Sequence, residues 1–196
     1  MWIYRDPLKV EVSPGFLFLL GALFWLDEGV GLLPWGLLAC AIHEVGHIVA
    51  SAVWGGHVRG LSLTVVGAEL RIDYDAPLSY GQDSLVALAG PGANLMFGML
   101  ALSLDWKLAA AVSLTIGAFN LLPIPPLDGG RVVYGLLAVR LDTDWAERLM
   151  TALSGCLVGV LAGVGAMAAV HYGNATLLLT ALWLLAGVLR RGSGEV

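Results

Sequence analysis

The sequence predicts an all-α polytopic membrane protein with six transmembrane helices and a small membrane-associated β-hairpin after the second helix. Two observations predict this fold class. Apolar residues make up 58% of the 196 residues, whereas charged residues make up 13%, and typical soluble domains carry about 25% charged residues. The apolar residues are also gathered into six runs, and a membrane helix needs roughly 20 such residues.

The six predicted spans follow one another along most of the chain. We place them at residues 14–33, 34–54, 83–104, 106–124, 145–170 and 175–189, with a short helical continuation after Asp128. Asp27 and Glu28 lie near the end of the first span and weaken its boundary. Because the sequence contains no internal repeat, long linker or low-complexity tail, we expect a single domain covering residues 1–196.

The distribution of basic residues predicts that both chain ends are cytoplasmic. With six spans and a cytoplasmic N-terminus, all of the 10 Lys and Arg residues except Lys107 fall on the cytoplasmic side. Cytoplasmic loops of membrane proteins carry an excess of basic residues, so this asymmetry supports an even number of spans. We therefore expect a multi-pass protein of the cell membrane. We expect no nucleic-acid partner, because no basic stripe is present that could neutralise phosphates.

The segment from His57 to Asp75 has a different pattern from the rest of the chain. Apolar and polar residues alternate on both sides of Gly67, and a period of two is typical of β-strands. We therefore predict a β-hairpin at about residues 60–75. Two interpretations stay open: the hairpin is a connector, or its edge binds an extended peptide as an added strand.

The most specific motif is His43-Glu44-Val45-Gly46-His47, in the middle of the second predicted span. Residues four apart share one face of a helix, so both imidazoles can bind one metal ion. Glu44 lies beside them and can act as a general base toward water at that ion. An ionisable group in mid-span costs roughly 3 kcal/mol by insertion scales, and a zinc ion would offset this for all three. The alternative is that packing alone satisfies the three side chains.

A catalytic zinc site needs a third protein ligand and an open position for water. The long metalloprotease pattern would place a third His six residues after His47, but that residue is Val53. His57 lies beyond a pair of glycines, and Glu69 lies on the predicted hairpin. Asp128 has the best physical case, because it follows a segment that cannot be helical.

That segment contains three prolines within residues 123–126 and is followed by glycines at 129 and 130. Proline cannot continue a helix, and glycine relaxes the backbone further. Broken backbone at membrane depth is tolerated only where protein or water covers it, so the carboxylate of Asp128 can turn toward a buried ion. The alternative role for Asp128 is a helix N-cap.

The two motifs together resemble the site-2 protease family of intramembrane zinc metalloproteases. The resemblance rests on the His-Glu-x-x-His motif of residues 43–47 in one span, and on Asn120 with Pro-Leu-Asp-Gly at residues 126–129 in a later one. The segment Ala-Gly-Pro-Gly-Ala-Asn at residues 89–94 is also similar to the third-span motif of that family. The site residues that the resemblance implies are His43, His47 and Asp128 as Zn²⁺ ligands, Glu44 as the catalytic base, and Asn120 and Asn94 as hydrogen-bonding groups for the substrate backbone or the developing oxyanion. For each Asn, an interhelical hydrogen bond is the alternative.

The resemblance also implies a reaction and partners. The reaction is hydrolysis of a peptide bond in or near the membrane span of a substrate protein. The implied partners are a membrane-spanning or membrane-associated protein substrate, a membrane inhibitor or regulatory partner, and the lipid bilayer. The compact plan is similar to the sporulation branch, whose members cut a membrane-associated sigma-factor precursor. Because the sequence ends at Val196, we expect it to lack the C-terminal nucleotide-sensing domain that this branch often carries.

Two other function classes stay open. A membrane metal-ion transporter also has intramembrane His and acidic residues, but it needs ligands distributed along a route. A non-catalytic membrane scaffold would have no need for Glu44.

Overall fold

A computed structural model describes residues 9–65 and 67–192 of the chain. Its elements in chain order are β1 (Lys9–Val12), α1 (Pro14–Leu26), α2 (Leu32–Val53), β2 (Gly56–Thr64), β3 (Gly67–Tyr74), α3 (Tyr80–Ser103), α4 (Lys107–Asn120), α5 (Asp128–Ala138), α6 (Thr143–Tyr172) and α7 (Thr176–Gly192). They form two compact units. The first is drawn from Met1–Leu78 and Ala89–Gly117, and the second from Ser79–Leu88 and Ala118–Val196.

The predominantly helical fold class is confirmed, and three of the predicted spans fall on helices of membrane length. Helices α2, α3 and α6 have 22, 24 and 30 residues and are apolar enough to cross a membrane. The other three predicted spans fall on α1, α4 and α7, which are apolar but have 13, 14 and 17 residues. At about 1.5 Å per residue, a 13-residue helix is about 20 Å long, shorter than a hydrocarbon core of about 30 Å. The count of six spans therefore stays a prediction.

The predicted C-terminal boundary of the first span is wrong, because α1 ends at Leu26 rather than near residue 33. Three residues within 28–31 have positive φ angles of 43°, 81° and 85°, which a right-handed helix cannot contain. The carboxylate of Asp27 then accepts hydrogen bonds from the backbone N–H groups of residues 31–33, at 2.8–3.2 Å. This acidic side chain caps the start of α2, so α2 begins at Leu32.

The fourth predicted span is also shorter than expected, because α4 ends at Asn120 rather than near residue 124. The proline-rich segment that follows is packed firmly within the second unit. Ile124 is fully buried in an apolar cluster with Val158 and Leu184, and Ser154 Oγ donates a hydrogen bond to the carbonyl of residue 123 at 3.2 Å. The short helix predicted after this break is confirmed as α5.

The predicted hairpin is confirmed, and the structure adds a strand to it. Strands β2 and β3 pair antiparallel, with Leu61 opposite Leu70, while Val66 of the predicted turn lies outside the described residues. Strand β1, which was not predicted, pairs parallel with β2, so that Lys9 lies opposite Gly60. The strand order β1-β2-β3 makes β2 the central strand of the described sheet and β3 an edge strand.

The first unit is built around small side chains. Its core contains Ala101, Ala109 and Ala110, against which Trp35 and Phe97 pack. Small residues let helix backbones approach closely, which is typical of helix packing in lipid. This close packing also operates where α2 meets α3, at the residues described next.

Candidate metal centre

Helix α2 places both imidazoles of the His-Glu-x-x-His motif on its buried side. The buried residues of α2 are Ala39, His43, His47 and Ser51, and a spacing of four residues defines one face of a helix. The exposed fractions of the two histidines are 7% and 8%. The buried face of this mostly apolar helix therefore carries two polar rings, which a shared metal ion could bind.

The two rings are arranged as a pair that can share a metal ion. Their Nε2 atoms lie 3.1 Å apart, with ring centroids separated by 4.7 Å and planes inclined at 79°. Two nitrogens that each bind a tetrahedral zinc ion at about 2.0–2.1 Å lie about 3.3 Å apart. The pair thus fits two ligand positions of one zinc ion, and the same separation allows a hydrogen bond between the rings when they hold no ion. Glu44, next to His43 in the sequence, is half-buried.

The backbone of α3 closes against these rings at Gly90. A Cβ atom at Gly90 would lie 2.3 Å from Nε2 of His47 and 2.8 Å from Nε2 of His43. Close by in α2, a Cβ atom at Gly46 would lie 2.5 Å from the carbonyl oxygen of Ala89. Glycine is therefore the residue that fits at both places. At Gly90 the backbone of α3 lies against the two imidazoles, and at Gly46 the backbone of α2 lies against the backbone of α3.

Asn94 lies in the same unit as the two histidines, four residues beyond Gly90 on α3. It is fully buried, and its Nδ2 and Oδ1 atoms have no hydrogen-bond partner among the described residues. Its backbone carbonyl accepts a hydrogen bond from Ser113 Oγ at 2.9 Å. An unsatisfied buried amide costs roughly 1–3 kcal/mol, so this side chain has unused hydrogen-bonding capacity. Its assignment to substrate binding stays a prediction.

Asp128 and Asn120 lie in the second unit. Asp128 is the first residue of α5, whose N-cap is Leu127, so the N-cap interpretation of Asp128 is wrong. Its side chain is 12% exposed and its Oδ1 lies 3.9 Å from Nη1 of Arg131, one turn further along α5. Nη2 of Arg131 in turn donates a hydrogen bond to Oδ1 of Asp83 at 2.5 Å. Asn120 is the half-buried last residue of α4.

The other candidates for a third ligand have different surroundings. Glu69 is exposed on β3, and Nε2 of His57 lies 3.6 Å from Oδ1 of Asp75. The structure therefore brings His43 and His47 together, and it places Asp128 and Asn120 within the second unit. The assignment of Asp128 as the third ligand stays a prediction.

Two residues that contact predicted site residues were missed by sequence reasoning. Gly90 is part of a sequence motif, but its contact with two rings on another helix has no local signal. In the sequence, Arg131 is one of the basic residues predicted to lie on the cytoplasmic side. Its spacing of three residues from Asp128 at the start of a helix is the signal that could have identified it, since such residues are neighbours on a helix surface.

Comparisons with known proteins identify a family. The profile of peptidase family M50 matches residues 101–144, a range that includes Asn120 and Asp128. Rip2 of Mycolicibacterium smegmatis, which its name describes as a candidate zinc metalloprotease, is 30% identical over 207 aligned residues, covering 74% of this chain and 78% of that protein. Stage IV sporulation protein FB of Bacillus subtilis is 29% identical over 162 aligned residues, covering 77% of this chain and 56% of that protein.

A solved structure has the same fold. The site-2 protease from Methanocaldococcus jannaschii matches with a TM-score of 0.66 over 96% of this chain and 93% of that chain, at 18% identity. The chain belongs to peptidase family M50, the site-2 proteases. It spans 56% of the length of the sporulation protein and 28% of a Mesorhizobium japonicum relative named for zinc metalloprotease activity.

Proposed function

We propose that this protein is an intramembrane zinc metalloprotease that hydrolyses a peptide bond in or near the membrane span of a substrate protein. The observation that carries the proposal is the pair of buried Nε2 atoms, 3.1 Å apart on one face of a helix of membrane length. An acidic residue, Glu44, lies in the same helical turn. Membership of peptidase family M50 supports the same reaction class. We also propose that residues 1–196 form a single catalytic domain.

We propose that His43, His47 and Asp128 hold the zinc ion. Two imidazoles and one carboxylate leave a fourth tetrahedral position open, as in other catalytic zinc sites. Asp128, at the start of α5 and just after the proline break, supports this choice because its side chain is only 12% exposed. When bound, zinc supplies Lewis-acid chemistry that makes water nucleophilic near neutral pH.

The side chains of the protein supply proton transfer and hydrogen bonding. Glu44 takes a proton from the attacking water and then delivers it to the leaving amine nitrogen, acting first as base and then as acid. Asn120 donates a hydrogen bond to the substrate backbone or the developing oxyanion, and donors of this kind contribute about 10²–10³ to kcat. We assign the same role to Asn94, whose buried amide has capacity to donate.

We propose that the substrate is a membrane-spanning or membrane-associated protein that unwinds before cleavage, because the amides of a helix are bonded internally. The outer side of β3 is the candidate site for the unwound segment. Strand β3 is an edge strand of the described sheet, so an added strand can pair with its outer side. We further propose a membrane inhibitor or regulatory partner, and a multi-pass location in the cell membrane with cytoplasmic ends, which lie outside the described residues.

Metal analysis and proteolysis of one preparation test the proposed function. The full chain, purified in detergent, is expected to contain about one zinc ion per molecule and to cleave a single-span substrate. A chelator should abolish cleavage, and added zinc should restore it. Protein that lacks zinc, or that holds zinc but moves it across proteoliposome membranes without cleaving any of a panel of single-span proteins, would contradict the proposal. The second result would favour the transporter.

A further inference from the structure

Gly90 differs from the other glycines of α3 because it lies against the imidazole pair. A Cβ atom at Gly90 would lie 2.3 Å from Nε2 and 2.6 Å from Cε1 of His47, and 2.8 Å from Nε2 of His43. A Cβ atom at Gly92, two residues further along the same helix, would have no atom within 4 Å. Real Cβ atoms essentially never approach other atoms within 3.0 Å, so a methyl group at position 90 must displace something.

The structure limits what can move. Both histidines are more than 90% buried, so their rings have little free space into which they could rotate. The separation of α2 and α3 is fixed independently at Gly46, where a Cβ atom would lie 2.5 Å from the carbonyl oxygen of Ala89 and 3.0 Å from Cβ of Ala93. The backbone of α3 therefore lies directly against the ring atoms that would bind a metal.

We propose that Gly90 is a positioning residue for the metal centre. Because Gly90 has no side chain, the backbone of α3 packs directly against the two rings. This contact holds both Nε2 atoms in the orientation that directs them to one ion. The proposal rests on the proposed zinc site, because it assigns to Gly90 the geometry of that site. It concerns the orientation of the ligands and involves no contact of Gly90 with substrate.

The closing experiment measures zinc affinity by chelator competition for three full-length variants in detergent. Gly90→Ala is expected to lower zinc affinity by about 10-fold to 100-fold, which is the usual effect of groups that orient metal ligands. Gly92→Ala introduces the same methyl group on the same helix and should keep the affinity of the unmodified chain. The absorption spectrum of bound Co²⁺ should change in Gly90→Ala and stay unchanged in Gly92→Ala.

Gly46→Ala distinguishes the contact at Gly90 from general helix packing, because the three atoms nearest to its methyl group belong to Ala89 and Ala93. We expect it to lower the apo-protein Tm while changing zinc affinity less than Gly90→Ala does. If Gly46→Ala lowers zinc affinity as much as Gly90→Ala, helix separation sets the site and the assignment of Gly90 is wrong. Zinc affinity and a Co²⁺ spectrum that are unchanged in Gly90→Ala would overturn it equally.

A stability measurement keeps the inference testable if Gly90→Ala folds poorly. The ring of His47 makes the shortest contacts, so removing that ring should make room for the new methyl group. The fall in apo-protein Tm caused by Gly90→Ala should therefore be smaller in a His47→Ala background, as expected for two residues in contact. An equal fall in both backgrounds would overturn the inference. Unmodified protein that binds no zinc contradicts the proposed function as well, whereas zinc-binding protein with an unaffected Gly90→Ala variant contradicts the inference alone.

Discussion

At the scale of single residues, the motif on α2 assigns different tasks to neighbouring side chains. The two histidines are buried and face each other, whereas Glu44 is half-buried. In a metalloprotease the ligands hold the ion and the acidic residue moves a proton, so metal binding and catalysis can be lost separately.

The first prediction follows from this division. Glu44→Gln keeps the size of the side chain but removes its ability to accept a proton. We expect cleavage to fall by at least about 10²-fold, the lower end of the usual contribution of a general base, while zinc stoichiometry is unchanged. Metal content and proteolysis should be measured on one preparation. Loss of zinc together with activity would identify Glu44 as a ligand.

The second prediction concerns the third ligand. Asp128→Ala should remove both zinc and cleavage, because a site left with two imidazoles binds zinc weakly. Glu69→Ala is the matched control, since it removes an acidic side chain that is exposed on β3. Zinc content after dialysis distinguishes the two. If Glu69→Ala loses the ion and Asp128→Ala keeps it, Glu69 is the ligand.

The third prediction concerns the ion pair next to Asp128. Arg131 lies between Asp83, at 2.5 Å, and Asp128, at 3.9 Å. In Asp83→Asn, we expect Arg131 to pair with Asp128 instead and to compete with the metal, lowering zinc affinity by about 10-fold. The double variant Asp83→Asn/Arg131→Gln should recover part of this loss in chelator competition. Zinc affinity that is unchanged in Asp83→Asn, or a further fall in the double variant, would show that the pair has a different role.

At the scale of elements, the main feature that the sequence did not predict is the third strand of the sheet, β1. Because β2 is central, β1 and β3 are the two edge strands of the described sheet, and the outer side of β3 is the edge that the hairpin itself offers for pairing. An edge strand recognises peptide backbone rather than side chains, which suits a protease with substrates of varied sequence.

The fourth prediction tests this edge. Proline removes one backbone N–H and is tolerated in a strand only where that group is not paired. Single Pro substitutions from Glu69 to Asp73 should therefore divide into two groups. Prolines at positions whose N–H faces β2 should lower Tm. Those at positions whose N–H faces outward should keep Tm and zinc content but raise KM for the substrate. If every loss of cleavage accompanies a loss of Tm, the hairpin is a connector only.

The sequence predicted the elements better than it predicted their boundaries. Helices α3, α6 and α7 begin within three residues of the predicted positions, because long apolar runs are a strong signal. The end of α1 was missed because the carboxylate of Asp27 caps the next helix, and capping requires knowledge of backbone geometry. Strand β1 was missed because four residues carry too little periodicity, and their partner lies far along the chain.

The candidate site likewise contains one feature that the sequence predicted and one that it did not. The spacing of His43 and His47 predicted a shared face, which the structure confirms. The role of Gly90 depends on the approach of another helix, and no pattern within α3 encodes that distance.

At the scale of the whole molecule, the predicted six spans place both chain ends on one side of the membrane and the turn between α6 and α7 on the other. The turn after α6 contains Gly173 with φ 66° and is followed by the exposed Asn174. This turn separates the last two predicted spans and is the natural site for a topology reporter.

The fifth prediction follows from the asymmetry of basic residues. A reporter fused after Val196 should be active on the cytoplasmic side, and one inserted next to Asn174 should be active on the external side. Protease protection of the same fusions provides an independent check. A C-terminal reporter on the external side would contradict this topology and, with a cytoplasmic N-terminus, would require an odd number of spans.

The parallel pairing of β1 with β2 has a consequence for how the protein is made. Val10 pairs with Leu61, so its partner leaves the ribosome about fifty residues later, after the helix that carries both histidines. At about 5–20 residues per second, Leu61 is synthesised roughly 3–10 s after Val10. During translation, this strand pair can therefore form only after that helix has been synthesised, so strand pairing follows the synthesis of the motif that carries both histidines.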